Sequence, residues 1–138
     1  MSKGIFQVTK ISKTEAEWQK QLAPEAFAVM RQHGTERPFT SSLNAEKRDG
    51  MFTCAGCGKE VFPSSAKFDS GTGWPSFTAP ASTEAIGTSS DRKLMMVRTE
   101  VHCPDCDAHL GHVFNDGPGP NGLRYCINGC ALDFKPKK

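Results

Sequence analysis

Two short runs constrain this chain more than anything else in it: Cys54-Ala55-Gly56-Cys57 and Cys103-Pro104-Asp105-Cys106. Each is a Cys-x-x-Cys, a spacing at which one backbone turn aims both sulfurs at one ion. Together they offer four soft ligands, enough to close the tetrahedron of a structural zinc ion. Gly56 and Gly58 in the first knuckle, and Pro104 in the second, are the small or rigid residues such turns use. One pair alone also fits a redox dithiol. Two pairs, separated by residues 58–102, point to zinc held by Cys54, Cys57, Cys103 and Cys106. The alternative is two disulfides or four free thiols. Disulfides are rare in reducing compartments, and the N-terminal run Met1-Ser2-Lys3-Gly4-Ile5-Phe6-Gln7 lacks a signal-peptide core. A cytoplasmic address is expected.

The 138 residues read as one domain, 1–138, with 1–13 an extended arm and 135–138 a frayed, solvated tail. A hydrophobic share of 37% is modest, so a metal that pins two distant hairpins would supplement a small core. The net charge of +2 gives no reason to expect nucleic acid, and no apolar run is long enough for a membrane span. Thr14-Glu15-Ala16-Glu17 is a capping box and predicts a short helix through Trp18 and Leu22. Pro24 opens a second helix with Ala26, Phe27, Val29 and Met30 on its apolar stripe, stopped by Gly34. Residues 35–50 read as a loop.

From Met51 onward, short β-type runs alternate with Gly, Pro, Asp, Asn and Ser turns: Met51–Cys54, Glu60–Phe62, Lys67–Asp69, Leu94–His102, His109–Phe114, Leu123–Asn128 and Ala131–Phe134. That spacing predicts a mainly β protein of two antiparallel sheets, with short N-terminal helices and zinc pinning the whole. Met95 and Met96 read as core filler. The wide turn Asp116–Gly122 makes His109–Phe114 and Leu123–Asn128 hairpin neighbours.

Six cysteines minus four leave Cys126 and Cys130. In a strand, Arg124, Cys126 and Asn128 share one face, with Tyr125 and Ile127 opposite. A guanidinium beside a thiol favours the thiolate, so Cys126 reads as reactive. The alternative is a small buried hydrophobe. His109 and His112 follow the second knuckle and either pack beside it or supply protons to the Cys126 strand. Gly71-Thr72-Gly73-Trp74-Pro75-Ser76-Phe77 is either an aromatic loop over the core edge or a rigid wall. As a wall, Trp74 and Phe77 would receive a polarisable thiomethyl group.

Phe68-Asp69-Ser70-Gly71-Thr72-Gly73-Trp74-Pro75-Ser76-Phe77, Arg98-Thr99-Glu100-Val101, His109-Leu110-Gly111-His112-Val113-Phe114, Asp116-Gly117-Pro118 and Arg124-Tyr125-Cys126-Ile127-Asn128 resemble the zinc-bearing B-type methionine-R-sulfoxide reductases. The likeness runs from about Thr14 to Phe134. It implies reduction of the R epimer of methionine sulfoxide in oxidised proteins, and less efficiently as the free amino acid. It implies Cys126 as nucleophile and Trp74 against the substrate methyl. His109, His112 and Asn128 would sit at the sulfoxide oxygen, directly or through water, with Arg124 and Asp116 ordering the site. Attack on the sulfoxide sulfur leaves Cys126 as a sulfenic acid, which another thiol must reduce.

The chain departs from the family pattern there, because Thr72 stands where many members carry the recycling cysteine. In one straight strand Cys126 and Cys130 would be about 13 Å apart at ~3.3 Å per residue, whereas a disulfide needs Cα atoms within about 7 Å. Three routes are open: thioredoxin or a small thiol acting directly, Cys130 after a break near Gly129, or a zinc-site thiol. Direct external reduction is the expectation. A zinc-ribbon interaction module would explain the knuckles but not Cys126, the histidines or the Trp74 loop. A zinc hydrolase needs an open metal position, which four cysteines do not leave.

Overall fold

The computed structural model describes residues 13–93 and 96–137, with residues 91–93 and 96–97 described by backbone alone. Thr14 caps α1 (Glu15–Gln21): its hydroxyl accepts from Glu17 N at 3.2 Å, and Glu17 Oε1 accepts from Thr14 N at 2.7 Å. Pro24 begins α2 (Pro24–Gln32), where its missing N–H costs nothing. The stop of α2 falls one residue before Gly34. His33 takes the left-handed conformation, φ 56°, and Gly34 N closes onto Ala28 O at 2.9 Å. The extended arm expected over 1–13 lies outside the described residues apart from its last position.

Two antiparallel sheets follow. The smaller joins β1 (Gly50–Cys54), β2 (Glu60–Pro63) and β9 (Leu132–Pro136) in the order β9-β1-β2. The larger contains β3 (Lys67–Phe68), β4 (Ser76–Phe77), β5 (Gly87–Lys93), β6 (Met96–His102), β7 (His109–Phe114) and β8 (Arg124–Ile127). Its order is β3-β4-β8-β7-β6-β5. Residues 94–95, expected to open β6, lie outside the described set, as do the side chains of Met95 and Met96.

Strands β4 and β5 escape the sequence pattern. Gly87-Thr88-Ser89-Ser90 is polar and does not alternate, yet β5 pairs along β6 from Gly87↔His102 to Lys93↔Met96. At a sheet edge the ladder is satisfied on one side and side-chain preference yields to backbone pairing. The expected tail also differs: Lys135 pairs with Met51 and Pro136 with Gly50, and Lys137 N reaches Asp49 O at 2.7 Å. The backbone is therefore held while the side chains of Lys135, Pro136 and Lys137 stay exposed.

The sheets share a core in which Phe62 stacks on Phe77 at 4.4 Å and Phe52 meets Phe77 edge-on at 5.1 Å. Leu110, Ile127 and Val101 complete it from the large sheet, and α1 and α2 add Trp18, Phe27, Val29 and Met30. Phe77 is fully buried there. It is a core residue and not a wall for substrate, because β4 turns it toward Phe62 and away from Trp74's side of the loop. No helix among the described residues is long and apolar enough to cross a membrane.

Candidate active site and metal centre

The two knuckles meet as the spacing requires. Cys54 and Cys106 sulfurs lie 3.7 Å apart, those of Cys57 and Cys103 3.5 Å apart, and all four within 4.8 Å of one another. A tetrahedral ion with metal–sulfur bonds near 2.3 Å sets its ligands about 3.8 Å apart, so the cage already has the dimensions of a metal site. None of the six cysteines forms a disulfide. Both knuckles close the same way: Gly58 N donates to Cys54 O and Asp107 N to Cys103 O, each at 2.8 Å, with Gly58 and Asp107 at positive φ. Gly56 N approaches Cys54 Sγ at 3.4 Å. A Cβ on Gly56 would stand 3.3 Å from both Trp18 and Met30. Gln21 donates to Gly56 O and Arg31 to Cys106 O, at 2.6 and 2.7 Å. The helices thus sit directly on the metal cage.

The second site grows from β8. Its residues alternate as expected: Tyr125 and Ile127 enter the core, while Arg124 and Cys126 keep partial exposure on the other face. Across the ladder Cys126 faces His112, and on its other side Ser76. A cleft of about 110 Å³ opens here, lined by Trp74, Arg98, His112, Phe114, Cys126 and Asn128 among others. Four residues singled out in the sequence therefore come together: Trp74, His112, Cys126 and Asn128.

The others take flanking places. Arg124 holds Asp116 with both arms of its guanidinium, Nε to Oδ1 at 2.8 Å and Nη2 to Oδ2 at 3.2 Å, and lies over the Phe114 ring. His109 is 2% exposed and stands edge-on to His112 with ring centres 5.3 Å apart. Its reach to the cleft therefore runs past His112. Burial, with His112 and His33 nearby, holds its pKa below the usual histidine value against the pull of Glu100.

The ionisation of Cys126 differs from expectation. Burial pushes its pKa up, and the opposing pull of Arg124 and of a hydrogen bond with Thr72 does not cancel it; Glu36 adds to the rise. The resting group is a thiol, because a partly buried sulfur loses more solvation than one shared guanidinium returns.

Residues 22–136 match the family model described as the SelR domain. The chain belongs to that family. It is similar to proteins named peptide methionine sulfoxide reductase MsrB, and three relatives show how closely. One from a strain of Pseudomonas putida is 56% identical over 93% of this chain and 96% of the relative. One from Bradyrhizobium diazoefficiens is 52% identical over 93% and 92%. One from the archaeon Methanosarcina barkeri is 51% identical over 93% and 90%. This SelR-domain chain is a B-type methionine-R-sulfoxide reductase.

Sequence reasoning missed the residue that holds the reductase's cleft together. Glu36, 4% exposed, accepts from Gly129 N at 2.8 Å and from Cys130 N at 2.9 Å. Its backbone N donates to Asn128 Oδ1 at 3.0 Å, and its backbone O accepts from Trp74 Nε1 at 3.0 Å. One residue thereby fixes two walls of the cleft. Asn128 Nδ2 also donates to Leu110 O at 2.9 Å, which leaves its second amide N–H to serve the cleft. Nothing in the loop sequence around Glu36 marks it as buried, since its partners lie 38 to 94 residues away.

Cys130 falls in a 3-10 turn, Gly129–Ala131, so the strand does break where a Cys126–Cys130 bond would need it to. The Cys130 thiol is nevertheless a poor resolving group. Burial and the neighbouring Glu36 push its pKa up to about 12, and a thiolate is the attacking species.

Proposed function

We propose that the reductase works through Cys126, with the substrate thioether against Trp74 and the sulfoxide oxygen toward His112 and Asn128. The observation that carries this reading is the cleft itself: a thiol on β8, faced by an imidazole across the ladder and walled by an indole. The overall reaction, conversion of methionine-R-sulfoxide to methionine, belongs to the enzyme as a family member.

In the proposed step the Cys126 proton passes to His112, across the ladder, as substrate enters, and the sulfur attacks the sulfoxide sulfur. His112 returns that proton to the oxygen, and the hydroxyl passes to the Cys126 sulfur as the substrate's S–O bond and the newly formed Cys126–substrate S–S bond both break, leaving a sulfenic acid on Cys126 and free methionine. The methionine sulfur gains two electrons and Cys126 loses two. Asn128 donates its remaining N–H to the oxygen, and His109 orients His112 from behind. Arg124, held by Asp116, favours the thiolate that forms. An external thiol then attacks the sulfenic sulfur, releasing water and leaving a mixed disulfide that a second thiol opens. Thioredoxin or a small thiol suits this role, because Thr72 and Cys130 do not provide a ready internal thiol. Oxidised proteins are the proposed substrates and the cytoplasm the proposed address.

The four-cysteine cage fits zinc in ligand type and size. Bound there, zinc would be held by Cys54, Cys57, Cys103 and Cys106 and would supply structure beneath α1 and α2. Four thiolates would leave the ion no open position for substrate.

Resolved R and S epimers of dabsyl-methionine sulfoxide, assayed with dithiothreitol and then thioredoxin, test the reading. The R epimer alone should turn over. Cys126→Ser should lower the rate by more than about a thousandfold with unchanged metal content and circular dichroism. Turnover that survives Cys126→Ser would place the chemistry elsewhere.

A further inference from the structure

Beside the catalytic cleft lies a cluster that shares only His109 with the proposed reaction. Glu100 of β6 is buried, and its two oxygens face different neighbours. Oε1 accepts from the Ser89 hydroxyl at 2.7 Å and lies 3.4 Å from His102 Nδ1. Oε2 lies 2.9 Å from His109 Nδ1 and 3.6 Å from His33 Nε2. These three donors, from His33, Glu100 and His109, fall within 4.8 Å of one another. They come from the end of α2, from β6 and from β7, so three elements converge on one point.

His109 Nδ1 and Glu100 Oε2 form a hydrogen bond at 2.9 Å, and an ion would replace that shared proton. At 3.6 Å His33 is beyond a good hydrogen bond to the carboxylate. A tetrahedral ion with ligands at about 2.0–2.1 Å sets its donors about 3.3 Å apart, and the two observed separations to Oε2 bracket that value. Two imidazoles and one carboxylate form a nitrogen–oxygen set that suits Zn²⁺ and similar borderline divalent ions. Ser89 orients the carboxylate from its far oxygen, as a supporting partner does at metal sites. The His33 side chain is 68% exposed, which gives an ion a way in and leaves a fourth position to water.

We propose that His33, Glu100 and His109 form a second divalent-metal site, distinct from the four-cysteine cage, whose occupancy slows sulfoxide reduction. The slowing rests on the role proposed for His112; the binding does not. The His109 ring meets His112 edge-on at 5.3 Å, so an ion on His109 brings a double positive charge close to His112. The ion would also fix the His109 ring that orients His112, and so shift His112 from the position in which it serves the sulfoxide oxygen.

The test starts from protein whose four-cysteine cage is already filled with Zn²⁺. Calorimetric titration with Zn²⁺ alone should show one further equivalent, removable by a mild chelator, with the ring nitrogen resonances of His33 and His109 shifting. His33→Gly keeps the left-handed backbone and removes one ligand, and should weaken the second equivalent at least about tenfold. Cys126→Ser should bind it unchanged. Single-turnover reduction without added thiol should slow at least about tenfold on filling the second site. The rate should recover on chelation and stay insensitive to zinc in His33→Gly. Absence of a second equivalent, equal binding by His33→Gly, or loss of binding in Cys126→Ser would each overturn the site. Binding with an unchanged rate would overturn the control it exerts. A protein inactive before any zinc is added would instead refute the Cys126 reading, with the binding data still interpretable.

Discussion

Arg124 is tied down twice before it acts on Cys126. Asp116 takes both arms of the guanidinium, and the Phe114 ring lies 4.5 Å below it. Its charge is therefore shared, and burial of the sulfur prevails. Removing the guanidinium should leave burial less opposed, so in Arg124→Ala the Cys126 pKa rises further. The thiolate is the reactive form, present above the pKa, so the pH profile of iodoacetamide alkylation should move to higher pH. An unchanged profile would show that Arg124 does not reach the sulfur. Thr72 is the second local influence. Its side chain hydrogen-bonds Cys126 and continues to Ser70 Oγ at 2.7 Å, which in turn meets Ser76 Oγ at 2.7 Å. A sulfur placed at that position would lie against Cys126. Thr72→Cys should therefore trap the first turnover as an intramolecular disulfide, whereas wild-type protein should give a sulfenic acid that dimedone labels. Intact-mass spectra after one equivalent of substrate separate the two.

At the scale of elements, the β7–β8 hairpin sets the site, because it places His112 opposite Cys126. The two strands approach closely at Gly111, where a Cβ would lie 2.1 Å from Cys126 O and 2.9 Å from Ile127 Cα. Both obstacles are backbone, which cannot rotate away. Gly111→Ala should cost about 2–4 kcal/mol of stability and lower activity more than the stability loss alone explains, since the shift falls on the nucleophile's own strand. Thermal melts and R-epimer assays on the folded fraction measure both; a neutral substitution would mean the hairpin register is looser than it looks. The 3-10 turn Gly129–Ala131 plays the complementary part: it ends β8 and turns Gly129 N and Cys130 N toward Glu36. That arrangement closes the cleft floor from a loop distant in the chain.

In the molecule as a whole, the metal cage and the cleft are joined through the helices. Trp18 and Met30 cover the first knuckle, Arg31 holds the second, and α2 packs on both β7 and the 3-10 turn before the chain reaches Glu36. Stripping the metal should release four sulfurs that are then neither ligated nor bonded, and loosen α1 and α2 with them. The expected loss is on the order of 5 kcal/mol, with a lowered melting temperature and a fall in single-turnover reduction although Cys126 is intact. Metal-free protein with unchanged melting and activity would separate the two sites.

Much of this molecule is legible in short stretches of chain. The two Cys-x-x-Cys runs determine the cage, because each turn needs only four residues to aim two sulfurs. The alternation in Arg124-Tyr125-Cys126-Ile127-Asn128 determines which side chains share a face, because a strand's period is two. What local pattern cannot supply is which face meets what. The loop sequence offers Phe77 as a wall for substrate, yet Phe77 is core, because the small sheet lies on its side of β4. The neighbouring arginine suggests an easy thiolate at Cys126, yet the group rests as a thiol, because burial in the assembled cleft pushes its pKa up and the Glu36 charge adds to the rise. Glu36 sits in a stretch that reads as loop, and its role exists only once chain segments more than 90 residues apart are brought together. Burial is a property of the assembled layers, and so the charge state and reach of each site residue were decided by tertiary structure alone.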